Sequence, residues 1–385
     1  MTESGGLTVL HLTQPADGGV GRIVEGLVRA QVMAGMRVAV ACPSDGPLAP
    51  AAARHGARVH PWRAVRAPGP LLVKETAHVR ELVRGLRPDV LHAHSAKAGL
   101  AGRLAVRGRI PTVFQPHAWS FEAVEGPVAA FARRWERHAA RWSDRVICVS
   151  DAERRRGERS GIVARWAVVR NGIDLDHYRP GPADRARASL APLRDLPPGT
   201  PLVLCVGRLC RQKGQDVLLR AWATVAPHVP DARLVLVGDG PDHGALRTAA
   251  RPSVIFAGEA EDTAPWYRAA DVVVLPSRWE GMALAPLEAM ACGRPVVVTD
   301  TDGARESLPP GHETHCLVER EEPGALAAAV LRLLRDPALR DTLGREAQGH
   351  ASAVYDVRHT ADAVANLYRE LLGGPQADCR ERTSR

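Results

Sequence analysis

Apolar residues along this chain fall into short continuous blocks separated by longer stretches in which they recur at helical spacing. The blocks at Leu7 to Leu12, Arg37 to Cys42, Asp89 to His94, Thr112 to His117, Arg145 to Ser150 and Ala167 to Arg170 are rich in Val, Leu and Ala. They predict strands buried on both faces, as in a parallel sheet. Helical patterns lie between most of them, at Val20 to Ala34, Leu71 to Leu86, Ala96 to Arg107 and Pro127 to Trp142. A second series opens at Leu202. It holds a helix from Asp216 to Val225, then blocks at Asp271 to Pro276 and Pro295 to Thr299 with room for one helix between them, from near Ala283 to Gly293. Helical patterns over Gly324 to Leu334, Pro337 to Val354 and Val357 to Leu372 close the chain. The fold class is therefore α/β, a doubly wound parallel sheet built twice. The polar, proline-rich segment up to Pro201 reads as the linker. We expect domains at residues 1–178 and 179–355, a terminal helix at 356–372 and a disordered tail at 373–385.

In such sheets ligands bind beyond the carboxyl ends of the strands, which directs attention to particular residues. His11, His94 and His117 sit near three strand ends. They could form a metal site, although no carboxylate accompanies them at a zinc-type spacing. Lys97 starts a helix, where it could face an anionic acceptor group together with His94. The turn Q-P-A-D-G-G-V-G-R carries Gly18 and Gly19 but leaves the dinucleotide fingerprint incomplete. Arg208 and Lys213 flank a glycine-opened helix start, which is either an anion site or a basic surface loop; the P-loop pattern is absent. Glu280 precedes another helix start, and Glu288 lies a turn inside it. Helix N-termini attract phosphates and carboxylates accept from hydroxyls, so a ligand with a diphosphate and several hydroxyls would suit this place.

Read as one string, E-G-x-x-L-x-x-L-E-A-M-A-x-G-x-P-V-V from Glu280 to Val297 resembles the donor-site signature of the family-four retaining glycosyltransferases (glycosyl transferases group 1). The resemblance covers nearly the whole chain and is strongest in its second half. It implies two Rossmann-like domains facing across a cleft, the GT-B architecture, with the C-terminal helix crossing back to the first domain. It implies transfer of a sugar from a nucleotide-diphosphate sugar to an acceptor hydroxyl, the acceptor being a small molecule, a glycan or a lipid-linked compound. In the catalytic set it places His117 against the reacting sugar, Arg208 and Lys213 on the diphosphate in G-R-x-x-x-x-K-G, and Glu280 on the transferred sugar. Glu288 is expected at the ribose. Donor contacts are implied for Gly18, Gly19, Gly281, Met282, Ala283 and Leu284, with Gly258 on the base side. Asp302 stands where the family carries a glycine. No cofactor is expected beyond the nucleotide sugar, and no metal, because two cations can do a metal's work on the diphosphate. The pairs Asp174/Asp176 and Asp300/Asp302 fit turn chemistry.

Composition trims the alternatives. Aromatic residues are only 4% against 45% apolar overall, so the core is built from Val, Leu and Ala. Seven scattered cysteines without a C-x-x-C pair read as reduced core thiols. The net charge of +8 is spread over helix faces with interleaved acids and comes with no nucleic-acid motif, so nucleic acid is not an expected partner. Only three of the 51 basic residues are lysines, which singles out Lys213 and Lys97. Without a signal-peptide pattern or a long apolar run the chain is expected in the cytoplasm. The basic first domain and the amphipathic Leu71 to Leu86 would suit peripheral contact with an anionic membrane. A nucleotide-sugar epimerase of similar build and a non-catalytic nucleotide-sugar binding protein are the rival functions.

Overall fold

The computed structural model describes residues 6–66 and 69–373. The expected tail beyond Gly373 lies outside them. In the first domain seven parallel strands stand in the order β3-β2-β1-β4-β5-β6-β7. They are β1 Thr8–Thr13, β2 Arg37–Cys42, β3 Arg58–Pro61, β4 Val90–His94, β5 Thr112–Gln115, β6 Arg145–Cys148 and β7 Trp166–Val168. The second domain has six parallel strands in the order β10-β9-β8-β11-β12-β13. These are β8 Leu202–Val206, β9 Arg233–Val237, β10 Val254–Gly258, β11 Val272–Leu275, β12 Val296–Thr299 and β13 Leu317–Val318. Central runs such as L-V-L-C-V of β8 and V-V-V-L of β11 are buried along their whole length, because helices cover both faces. Each sheet reverses its winding between its first strand and the fourth, at β1/β4 and β8/β11. The loops leaving those strands therefore open side by side into a crevice.

The elements not predicted include β9 and β10, despite their apolar runs, and several short or highly charged ones. β3 has one apolar side chain, Val59, and lies at the sheet edge. The helix Asp151–Arg159, D-A-E-R-R-R-G-E-R, has almost no apolar face, and the helices Leu48–Arg54 and Ala183–Ser189 are brief. The last of these falls within the stretch read as linker. β5 stops at Gln115, two residues short of the expected end, because Pro116 interrupts the ladder and His117 and Ala118 take positive φ values of 56° and 110°.

The helix Leu284–Ala291 ends as its sequence predicts, with Gly293 in the left-handed region at φ 76°. The terminal helix Val357–Gly373 does return to the first domain. Ile173 and Asp356 form a parallel bridge, Thr360 Oγ1 donates to the Arg170 carbonyl at 2.9 Å, and Tyr368 Oη meets His92 Nδ1 at 2.6 Å. One apolar cluster runs from Val149 and Ile173 of the first domain into Met282 and Leu284 of the second, so the domains share packed surface at the floor of the crevice. The described cysteines are unpaired thiols, and no helix among the described residues is long and apolar enough to cross a membrane.

Candidate functional site

The adjacency of β8 and β11 brings together two loops far apart in sequence. Gly214, at φ 66°, lies so close to the Pro276 carbonyl that a Cβ would come within 2.1 Å of that oxygen, so only glycine lets the loops close. This closure sets Lys213 beside Glu280. Lys213 Nζ donates to Glu280 Oε1 at 2.5 Å, and Ser277 Oγ donates to the same oxygen at 2.8 Å. Glu280 is buried, while Arg208 on the same loop as Lys213 is exposed and has no ion-pair partner among the described residues. The cation expected at the diphosphate and the acid expected at the sugar are thus each other's partners.

Glu288 is only 1% exposed, and its oxygens are both engaged. Oε2 accepts from Tyr267 Oη at 2.8 Å, and Oε1 accepts from Arg22 Nη1 at 2.5 Å. Arg22 comes from the first-domain helix Gly18–Met33, and it also donates to Tyr178 Oη at 3.1 Å. A ribose diol would have to displace Arg22 to reach this carboxylate. The sequence reading overlooked Arg22; its signal was a lone charge one turn after the glycine pair.

Gly281 is the wedge between the domains. A Cβ there would lie 2.9 Å from Val149 Cγ2, 3.0 Å from Glu153 Oε1 and 3.1 Å from the Ala118 nitrogen. Ser150 Oγ donates to the Gly281 carbonyl at 3.2 Å, and Asn171 Nδ2 to that of Met282 at 2.7 Å. Met282 and Leu284 are buried in this seam, and Ala283 precedes the first turn of the helix. Gly19 faces the Leu284 side chain, whereas Gly18 and Gly258, both at positive φ, have open space where a Cβ would stand.

Opposite the wedge is the His117–Ala118 turn. Its left-handed backbone is held by Glu153, whose Oε1 accepts from the Ala118 nitrogen and whose Oε2 accepts from the Val149 nitrogen, each at 2.7 Å. Burial pushes the Glu153 carboxyl up to about 8 against the pull of those two N–H groups. Glu153 was also overlooked, although S-D-A-E from Ser150 carries the spacing of a capping box. From the other domain Glu306 caps the same helix, accepting from the nitrogens of Asp151 at 2.9 Å and Ala152 at 2.7 Å.

Two expectations are corrected here. His94 is not at an acceptor-facing surface. It is fully buried, with Nδ1 3.2 Å from His117 Nε2 and Nε2 3.0 Å from His11 Nδ1. Lys97 is likewise 3% exposed, its ammonium 2.6 Å from Glu75 on the helix Leu72–Leu86, because the helix start it occupies packs inward. His11, His92 and His94 offer ring nitrogens within 4.8 Å of one another, close enough for a metal ion. The group contains no carboxylate, and a dication in so buried a place would lack charge compensation. Burial lowers His11 to about 4 and His117 to about 3, so both are neutral. Asp174 Oδ1 accepts from the nitrogens of Asp176 and His177 in a turn, its Oδ2 pairs with Arg29, Asp300 pairs with Arg305, and Asp302 accepts two bonds from Arg156 across the domain seam.

Comparison with known proteins gives a consistent picture. Residues 200–336 match the family described as Glycosyl transferases group 1, and residues 17–177 match Glycosyltransferase Family 4. The chain is 33% identical over 322 residues to D-inositol 3-phosphate glycosyltransferase 2 of Catenulispora acidiphila, covering 74% of each. It is 34% identical over 308 residues to the D-inositol 3-phosphate glycosyltransferase of Rhodococcus erythropolis, covering 73% of this chain and 68% of that one. Among solved structures it superposes on sucrose-phosphate synthase from Thermosynechococcus elongatus with TM-score 0.81 at 25% identity, over 96% of this chain and all of that one. Anabaena HepE in complex with UDP-glucose gives TM-score 0.79 at 25% identity, over 94% and 99%.

Proposed function

The chain belongs to the family-four glycosyltransferases of GT-B architecture, and from that premise we propose that it transfers a hexose from a nucleotide-diphosphate sugar to an acceptor hydroxyl, with retention at the anomeric carbon and without a metal ion. The observation that carries the reading is the contact of Lys213 with Glu280 at the crevice floor, with the His117 turn across Gly281. A donor entering here can exchange partners with the pair. Its diphosphate takes the ammonium of Lys213, and the freed Glu280 carboxylate accepts from hydroxyls of the sugar. Negative charge then grows on the departing diphosphate against a fixed cation, and positive charge grows at the anomeric carbon near a fixed anion. Arg208, exposed on the same loop, supplies a second cation.

The names of the relatives favour a phosphorylated polyol as the acceptor and a uridine nucleotide as the donor. If the acceptor is lipid-linked, the exposed Leu71 and Val73 and the arginine-lined face of Arg80, Arg84, Arg107 and Arg109 suit contact with an anionic membrane surface. The test is a panel of nucleotide sugars, each incubated with inositol 3-phosphate, with inositol and with no acceptor, in chelator. A new glycoside whose anomeric configuration by NMR matches the donor's supports the reading. An inverted product, an epimerised donor without acceptor, or activity restored only by a divalent ion each overturns part of it.

A further inference from the structure

We propose that Gln31, His11 and His94 form a hydrogen-bonded relay that fixes the tautomer of His117 and leaves its Nδ1 as the acceptor for a substrate hydroxyl. This rests on the glycosyltransferase reading only for the identity of the hydroxyl. The order of donors follows from the chemistry of neutral imidazole, which has one N–H and one lone pair. The Gln31 carbonyl oxygen, 2.8 Å from His11 Nε2, can only accept, so His11 carries its proton on Nε2. His11 Nδ1 is then a lone pair. His94 Nε2, 3.0 Å away, must donate to it, which makes His94 Nδ1 a lone pair in turn. His117 Nε2, 3.2 Å from that atom, must donate, and His117 Nδ1 is left bare.

Three further observations agree. His117 Nδ1 is shielded from solvent and has no hydrogen-bond partner among the described residues, although the residue as a whole is only partly buried. An acceptor left unmade costs stability, and a hydroxyl arriving at the seam relieves it. The rings of His11 and His94, and of His94 and His117, are inclined by only 24° in each case, so within each pair an N–H can point at the facing lone pair. The His117 backbone is in the left-handed region, and Glu153 locks the turn from the other side, so the ring is held at both ends. His11, His94 and Gln31 touch no substrate in this scheme and are positioning residues. His92 lies against His94, with ring centroids 3.9 Å apart, and its Nδ1 is bonded to Tyr368 of the terminal helix.

The relay can be read directly in uniformly 15N-labelled, ligand-free protein. The expected result is two-bond 15N–15N coupling across both imidazole pairs, with Nε2 protonated in His11, His94 and His117. Absent couplings, or protons on Nδ1, overturn the proposal, and neither outcome depends on the protein having any activity. His94→Phe should let the His117 ring nitrogens drift to tautomer-averaged shifts. With UDP-glucose as donor, it should cut kcat tenfold or more at a KM within twofold. His94→Gln, whose amide oxygen can still accept from His117, should restore most of both. A His117 ring whose shifts are untouched by His94→Phe refutes the relay. If that variant does not fold, the couplings in the parent and the His94→Gln rescue still decide. Intact couplings in a protein that turns over no nucleotide sugar would sink the activity reading and leave the relay standing.

Discussion

Lys213 is the residue at which stability and turnover can be separated. Its ammonium pairs with Glu280 at 2.5 Å, and the two side chains are 20% and 10% exposed, between the surface and the buried regime. Exposed pairs contribute about 0–1 kcal/mol, while removing one member of a buried pair costs about 3–5 kcal/mol, so Lys213→Met should cost about 2 kcal/mol. Most of that is the penalty of leaving Glu280 with Ser277 as its close donor. In a chain of this size such a loss lowers Tm by a few degrees, on the order of 2–4 °C per kcal/mol. Turnover should suffer more. One cation about 4 Å from the developing charge contributes about 4 kcal/mol at an effective dielectric of 20, before desolvation. That figure bounds the rate loss at about a thousandfold, and about a hundredfold is expected. The double variant Lys213→Met/Glu280→Gln removes the stranded charge, so it should regain most of the Tm while remaining at least as slow as Lys213→Met. The assay is a double-mutant cycle in both quantities, Tm by scanning calorimetry and kcat with the donor found in the panel. A Lys213→Met protein with parental kcat refutes the catalytic role. A double variant that does not recover stability refutes the pairing.

Glu288 should respond to Arg22 as well as to ligand: if ribose displaces the guanidinium, Arg22→Met tightens binding of nucleoside diphosphate in calorimetric titration at some cost in stability, and weaker binding would mean that Arg22 itself holds the nucleotide. Chelator should leave the transfer rate unchanged, since the carboxylates of Asp174, Asp300 and Asp302 are engaged in a turn and in ion pairs; loss of activity restored by manganese would reverse that. Glu153→Ala, which frees the Ala118 nitrogen, should lower kcat more than it raises the donor KM, because it loosens the turn that aims His117; an equal change in both would assign Glu153 to packing alone. Stability should depend on pH in opposite senses at two places. His11 is lowered to about 4, so the unfolded chain binds its proton first and stability is withdrawn as the pH falls from about 6.5 towards 4. Glu153, raised to about 8, adds stability below its unfolded value and loses it as the pH rises through 8. Urea melts of His11→Gln against the parent isolate the histidine: the parent should lose up to about 3 kcal/mol more between pH 7 and 4, and parallel curves would contradict the burial argument.

What was legible in the sequence is what depends on local pattern. The unit from β11 through the helix Leu284–Ala291 to β12 was readable because valine runs, a glycine stop and a proline punctuate it within thirty or so residues. β8, the Gly214 turn and the return of the terminal helix were readable for the same kind of reason or through the family resemblance. The partnerships were not. Lys213 and Glu280 are paired because β8 neighbours β11, a fact of strand order that no spacing records. His94 looked like a ligand at a strand end because period-two alternation does not say which face a helix will cover; the helices Gly18–Met33 and Val357–Gly373 bring Gln31 and Tyr368 to that face. Glu153 and Arg156 looked like members of a solvated basic helix for want of any apolar face.

Those overlooked residues share a location, and the location explains why they are charged. Glu288, Asp302 and Glu306 of the second domain meet Arg22, Arg156 and a helix N-terminus of the first. The arginines are 38% and 35% exposed but their acid partners only 1% and 8%, so each pair stands between the surface and the buried regime, as Lys213–Glu280 does. A seam made of such pairs is specific in register and can exchange partners with a charged ligand, unlike one packed wholly from apolar side chains. Apolar contacts in the seam include Val149 against Gly281 and the neighbouring Met282 and Leu284, beside the Lys213–Glu280 pair. A ligand that displaces Arg22 from Glu288 therefore acts on a contact that joins the domains. Donor binding can shift that contact only by as much as the donor's affinity differs between the paired and the displaced arrangement.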